Sequence, residues 1–403
     1  MGNKQTGKRV RKEEPARKWL GMELPAIDPG RRNTLVFTSI LTKVIVAIAT
    51  TYVFGSFLDV FDYFNYYSIF PNILHGLWPW ANGGQFSYPP LALVPMSIAY
   101  AGSIAGGFLG FVVIMWILMA ACDIGTTLCV YYIGLKIYGE RTAFTAAMLN
   151  ATAFSAAYFA LTKFDAFPVF VAAFALLATA YSNKMTGYLA AITGLFVKLW
   201  PMLLYPFLWL YNARDSSIIQ EGKERAAWLL LATGGLFGLM LWVGYNRFLF
   251  YVGVIYCNTI PYLISQILPA VSFDMIVGVF RGLTVIVTLG ALYWMFRKPG
   301  SLTRMVKMIL LVTFALVFFL QYRSPQYSVW ILPFVVLLVA GDLWSILVFY
   351  WVQALAYIEF PLTFYTLYVN EHYVSGWAPV FFAVLFISYG VLLWRAIRGT
   401  HYE

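Results

Sequence analysis

From Thr34 to Phe54 the chain crosses a full membrane width of sequence with one charged side chain, Lys43. About 20 apolar residues in a helix span the roughly 30 Å hydrocarbon layer of a bilayer. Inside lipid, every backbone N–H and C=O has to be satisfied within the segment, so such a run is helical. Comparable runs recur to the C-terminus. Overall 61% of the residues are hydrophobic and 11% are charged, against about 25% charged in soluble domains. The expected fold class is therefore all-α, a polytopic membrane protein with the bilayer as its main solvent.

A formal net charge of +10 would suggest nucleic acid in a soluble chain. Here the charge follows topology, and no nucleic-acid partner is expected. Residues 1–33 hold nine basic side chains: Lys4, Lys8, Arg9, Arg11, Lys12, Arg17, Lys18, Arg31 and Arg32. The positive-inside rule makes this tail cytoplasmic, close to anionic headgroups. A polar basic stretch precedes the first apolar run, so no cleavable signal is expected. Cys122 and Cys129 lie in an apolar segment and Cys257 in a later loop, which implies no disulfide framework.

Charge parity orders the remaining segments. Spans are expected at 34–54, 108–137, 143–161, 167–182, 226–245, 275–296, 307–321, 328–341, 343–361 and 377–394. The block 186–211 has basic residues at both ends, so it reads as two short helices hinged at Lys198-Leu-Trp-Pro201, where proline removes a donor. That makes about twelve spans, with both termini cytoplasmic in a cell membrane. Residues 91–105, short and broken by Pro95 and glycines, read as a juxtamembrane or re-entrant helix of the first external loop, 59–105. Asn258, Pro261 and Pro269 interrupt an external, lid-like loop at 246–274. The chain thus divides into the tail 1–33, a transmembrane domain 34–396 and a short cytoplasmic end, 397–403.

On this topology 21 of the 27 Lys and Arg are cytoplasmic. Lys43 lies inside the first span. Lys163, Lys198, Arg247, Arg281 and Arg323 fall at or near external helix ends, against the bias, which suggests functional use. The stretch Asp59–Pro90 has two carboxylates, Asp59 and Asp62, many aromatics and no Lys or Arg. Asp59, Asp62, His75, Lys163, Asp165, Lys198, Arg247, Arg281, Arg323, Gln326, Glu371 and His372 all belong to that one face. Carboxylates beside fixed cations suit acid–base chemistry on a phosphorylated substrate. No Cys/His cluster suggests zinc, and the isolated Gly83-Gly84 is no phosphate loop. No metal and no other cofactor are expected.

The motifs FSYPPLALVP, TKFDAFP, VKLWP and SPQYSVWILP occur in that order on the same side. They resemble the GT-C superfamily of polytopic glycosyltransferases, and most closely the polyprenyl-phosphate-mannose-dependent mannosyltransferases of glycosyltransferase family 87. The resemblance runs over most of 34–396 and implies a GT-C fold with juxtamembrane helices in its external loops. It also implies an inverting sugar transferase facing away from the cytoplasm, with mannose as the commonest sugar. One aspartate of the first external loop would be the general base, and side-chain cations would hold the donor's single phosphate. Asp62 followed by Tyr66 and Gly76 is similar to the family spacing. Asp59 lies one helical turn earlier and stays open as the alternative. Arg323, Lys198, Arg281, Gln326 and Tyr327 are the expected phosphate ligands. Asp165, Lys163, His75, Tyr66, Tyr88 and His372 are the expected substrate contacts. The expected partners are a polyprenyl-phosphate sugar, a glycolipid or glycan acceptor and the bilayer, with the chain acting as a monomer.

Each of these residues has a plainer reading. The aspartates can cap helices, Arg323 can anchor to headgroups, Arg281 can sit in an ion pair, and the aromatics can form an interface belt. Asp123, inside a span, reads as a packing residue bonded to Thr126 or Thr127. The alternative for the whole chain is a transporter or lipid flippase, which would place its polar site near the midplane. A metal-dependent oligosaccharide transferase of similar fold would need an Asp-x-Asp, and Asp59-Val-Phe-Asp62 is not one.

Overall fold

The apolar runs fold as helices along the chain. The structure is a computed structural model that describes residues 17–77, 79–80, 86–242, 254–298, 300–369 and 372–399. Arg247, Glu371, Trp78, Gly83 and Gly84 lie outside the described residues, as do most of the basic tail and the first part of the lid-like loop.

A small hairpin, β1 (Arg17–Trp19) and β2 (Met22–Leu24), precedes α1 (Pro29–Val53). Asp28 caps α1 by accepting from the Arg31 N–H at 3.1 Å, the usual use of a short acid before a helix. In the first loop, α2 (Phe61–Ser68) and α3 (Phe70–Leu74) follow. Next come α4 (Leu93–Ile137), α5 (Glu140–Ala151), α6 (Phe154–Thr162), α7 (Ala166–Ala180), α8 (Lys184–Lys198) and α9 (Leu204–Asn212). The second half holds α10 (Ile218–Trp242), α11 (Ile260–Ile267), α12 (Phe273–Arg297), α13 (Leu302–Phe318), α14 (Leu332–Val339), α15 (Leu343–Leu362) and α16 (Phe364–Leu367). A second hairpin, β3 (Tyr368–Val369) with β4 (His372–Tyr373), precedes α17 (Ala378–Arg398).

Among the described residues, every segment read as a span is mainly helical. Among the described residues six helices are long and apolar enough to cross a membrane, or seven if α5 and α6, bent by 51°, count as one. The chain is thus an all-α multi-pass membrane protein. Some of the shorter helices sit inside the bundle: all eight residues of α14 are buried, as are most of α6 and α7. Small residues let these inner helices approach closely. A Cβ on Gly134 of α4 would lie 2.9 Å from the Ala143 Cα of α5. The lipid-facing helices expose large apolar side chains, such as Val285, Ile286 and Leu289 of α12.

α4 is not one rod. Gly107 has φ 57° and ψ −144°, a conformation open to glycine. A Cβ on Gly102 would meet Ile114 at 2.6 Å, although residues 12 apart in a straight helix are about 18 Å apart. The chain reverses at Gly107, and 93–106 runs back along the longer arm. The first loop packs on this hairpin through its own apolar cluster, including Tyr63, Tyr66, Phe70, Phe111 and Met115.

Candidate functional site

A cavity of about 720 Å³ opens where the first loop, the α6–α7 turn, the α8–α9 hinge and the segments flanking α13 and α15 meet. Asp59, Asp62, Tyr88, Lys163, Lys198, Arg281, Gln326 and Tyr327 all line it. Eight of the thirteen expected site residues therefore converge, from positions up to 268 residues apart in the chain.

One wall is acidic. The Asp59 N–H donates to the Tyr158 hydroxyl at 3.1 Å, which itself donates to the Phe57 carbonyl at 3.1 Å. The Phe61 N–H donates to Asp59 Oδ1 at 3.0 Å, so Asp59 holds the start of α2. Lys163, in the turn after α6, sits between the two acids: its Nζ is 2.8 Å from Asp59 Oδ2 and 3.1 Å from Asp62 Oδ2. The Asp59 side chain is 10% exposed and that of Asp62 25%. Asp59 is thus occupied as an anchor, while Asp62 presents itself to the cavity. Burial alone pulls the Lys163 ammonium down. The carboxylates of Asp62 and Asp59 outweigh it and hold the ammonium above the ordinary lysine value.

Another part of the lining is built at the α8–α9 break. Leu199 has φ 57° and ψ −54°, a region that costs a non-glycine residue about 1–3 kcal/mol. The turn brings both Lys198 and Trp200 to the cavity. Lys198 Nζ bonds Asp165 Oδ1 at 2.7 Å. It also lies over the rings of Tyr88, Tyr327 and Trp330 at 5.2, 5.2 and 5.4 Å. Trp330 donates its indole N–H to the same Asp165 oxygen at 2.6 Å and stacks between Tyr327 and Trp200. The lysine is therefore caged, with its charge aimed by aromatic faces and one carboxylate. Arg281, two turns into α12, reaches the cavity from the lipid-facing side, with Val279 and Leu283 exposed beside it.

Five expected residues stand elsewhere. Arg323 is not a cavity ligand: its guanidinium binds Glu359 with both ends, at 2.6 and 2.9 Å, and both side chains are buried. Its neighbours Tyr322 and Ser324 face the cavity instead. Asp165 lies behind Lys198 and does not line the cavity. Tyr66 is buried and donates to the Tyr88 hydroxyl at 3.0 Å. His75 is exposed, its ring bonded to the Pro71 carbonyl. His372 is exposed in the second hairpin, away from the cavity. Asp123 is more than a packing residue, because it pairs with Lys43 and accepts from Ser39 at 3.1 Å.

Trp200, Trp330, Tyr256 and Glu359 were not singled out by sequence. Glu359 carried a signal: a lone acid in the apolar run YIEFP needs a cation, and Arg323 was a cation without an assigned acid. Among the described residues no group of three or more His, Cys, Asp or Glu is placed to hold a metal ion.

Fold and cavity together define a multi-pass membrane protein with an open, largely apolar cavity that carries several charged side chains in its lining. No protein-family model matches the chain, and no curated protein matches it.

Proposed function

We propose that the chain is an inverting glycosyltransferase of the GT-C kind, moving a sugar, mannose in the first instance, from a polyprenyl-phosphate donor to a hydroxyl of a lipid or glycan acceptor. The observation that carries the reading is the presence in the lining of one cavity of a half-buried carboxylate, Asp62, and a caged cation, Lys198. Transfer needs a base near the attacking hydroxyl and positive charge where the leaving phosphate develops its second negative charge. Asp62 takes the acceptor proton, and the acceptor oxygen attacks the anomeric carbon. The bond to phosphate oxygen breaks on the far side, which inverts the configuration. Lys198 and Arg281 hold the phosphate, with Gln326 and Tyr327 beside them. Tyr88 and Trp200 bring aromatic surface to the cavity for the sugar, and Trp330 backs them from its stack. In this reading all twelve helical segments cross the bilayer, both termini are cytoplasmic and the cavity faces outward.

The test is transfer from polyprenyl-phosphate-mannose by purified protein supplied with a membrane lipid extract, with products identified by their gain of one hexose mass. No product with wild-type protein, or full product with Asp62→Asn, sinks the reading. Labelling of His75→Cys by an impermeant thiol reagent from the cytoplasmic side sinks the orientation.

The buried Lys43–Asp123 pair favours a second reading, a transporter or flippase, because ionised groups inside a span commonly serve a pathway. Lipid scrambling by reconstituted protein that is lost in Asp123→Asn, with no sugar transfer, would select it.

A further inference from the structure

We infer that Lys163 is a counter-ion shared by Asp59 and Asp62, a positioning residue that keeps Asp62 ionised before it takes the acceptor proton and leaves no bare ammonium afterwards. This rests on the reading of Asp62 as the base.

Lys163 is fixed from several directions. Its N–H donates to the Phe159 carbonyl at 2.8 Å, closing α6. Its carbonyl accepts from the Tyr63 hydroxyl at 3.3 Å. The Phe360 ring covers the ammonium at 5.7 Å. The charged and titratable groups around it are Asp59 and Asp62 from the first loop, Tyr63 from α2, Tyr158 from α6 and Tyr365 from α16. Asp165, two residues on, is taken by Lys198. Among the described residues, the two aspartates are the groups that supply negative charge to the Lys163 ammonium.

Two carboxylates sharing a site without a cation repel, and one of them then gives up its proton less readily. A single cation between them lets both ionise, and the trio then carries one net negative charge. A simple Lys163–Asp62 pair would fail differently. Protonating Asp62 would strand a buried ammonium, which is costly. Asp59, with Oδ1 held by the Phe61 N–H and Oδ2 on Lys163, is the standing partner that prevents this.

The charge account closes. The acceptor O–H bond breaks and its proton goes to Asp62. The new C–O bond forms at the anomeric carbon as the bond to phosphate oxygen breaks. The trio goes from one net negative charge to zero, while the leaving phosphate goes from one negative charge to two.

The test is the pH dependence of kcat/KM for wild type, Lys163→Met, Lys163→Arg and Asp59→Asn. Lys163→Met should move the acid limb to higher pH by about one unit or more, a tenfold loss on that limb. Lys163→Arg should restore most of it. Asp59→Asn should move the limb the other way and lower the plateau. A purely structural lysine would lower the rate at every pH and leave the limb in place. That result, with Asp62→Asn inactive, overturns the proposal and spares the base. An active Asp62→Asn overturns both. Infrared titration of the carboxyl stretch that disappears in Asp62→Asn gives a reading independent of turnover. Equal midpoints in wild type and Asp59→Asn would also overturn it, even if Lys163→Met does not fold.

Discussion

Replacing Arg323 by leucine should unfold the protein more readily than loss of any cavity residue, and replacing Glu359 as well should reverse most of the damage. In the native chain, Glu359 receives both arms of Arg323, at 2.6 and 2.9 Å, and the Asn258 side-chain amide at 3.1 Å. Neither charged side chain reaches solvent, at 0% and 1% exposure. Arg323→Leu removes two of these three contacts to that carboxylate and strands a buried charge, a loss of about 3–5 kcal/mol. Such a loss is roughly two to four orders of magnitude in the folding equilibrium. Arg323→Leu combined with Glu359→Leu removes both charges, and exchanging a buried pair for apolar side chains is often neutral or better. The cycle of single and double variants isolates the coupling. The assay is retention of the monodisperse peak after heating in detergent, with an SDS unfolding titration for the free energies. Equal losses from the two singles that simply add in the double would refute the reasoning. So would a double variant that folds like wild type and has lost donor affinity, because Arg323 would then be a phosphate ligand.

Asp62→Asn should lower kcat by about 10²–10⁴-fold without loss of fold, as measured by transfer and by thermal stability together. Lys198→Met should raise the donor KM by about tenfold or more, and arginine should rescue poorly because its planar fork does not fit the cage of Tyr88, Tyr327 and Trp330. EDTA should leave transfer unchanged; loss restored by Mg²⁺ or Mn²⁺ would contradict side-chain binding of the phosphate. At the turn between α14 and α15, bonds from Ser345 and then Arg395 hold Asp342 down to about 2 from 3.8. Its folded value is depressed, so its contribution is present above about pH 4 and is lost as pH falls from there through 2. Acid unfolding of Asp342→Asn should lack that component.

The helices were legible because hydropathy and flanking charge act locally. The break at Lys198–Pro201 was legible for the same reason, since a proline within an apolar block between two basic ends leaves few alternatives. Lys163, Lys198 and Arg281 stood out because a charge kept at an apolar helix end requires a reason, and Asp62 because its loop has no Lys or Arg; all four line the cavity. Partners were not legible. Lys43 meets Asp123 across 80 residues and Lys163 meets Asp59 across 104, and no local pattern encodes which charges meet. Arg323 shows a second limit. It lies in an irregular turn between Tyr322 and Ser324, which face the cavity while it does not. Without a helical or strand period, neighbouring side chains give no rule for direction. The ring faces of Trp200 and Trp330 were hidden by abundance, because with 19% aromatic residues composition cannot mark the ones that matter.

The stacked rings around Lys198 also make an optical gauge. Indole emission responds to nearby charge, and Trp330 has the Lys198 ammonium 5.4 Å from its ring and the Trp200 ring stacked 5.2 Å away. An anion drawing Lys198 away from Asp165 changes the field at both indoles at once. Subtracting a Trp330→Phe spectrum from that of the full protein would isolate this response and report occupancy of the chamber without any turnover.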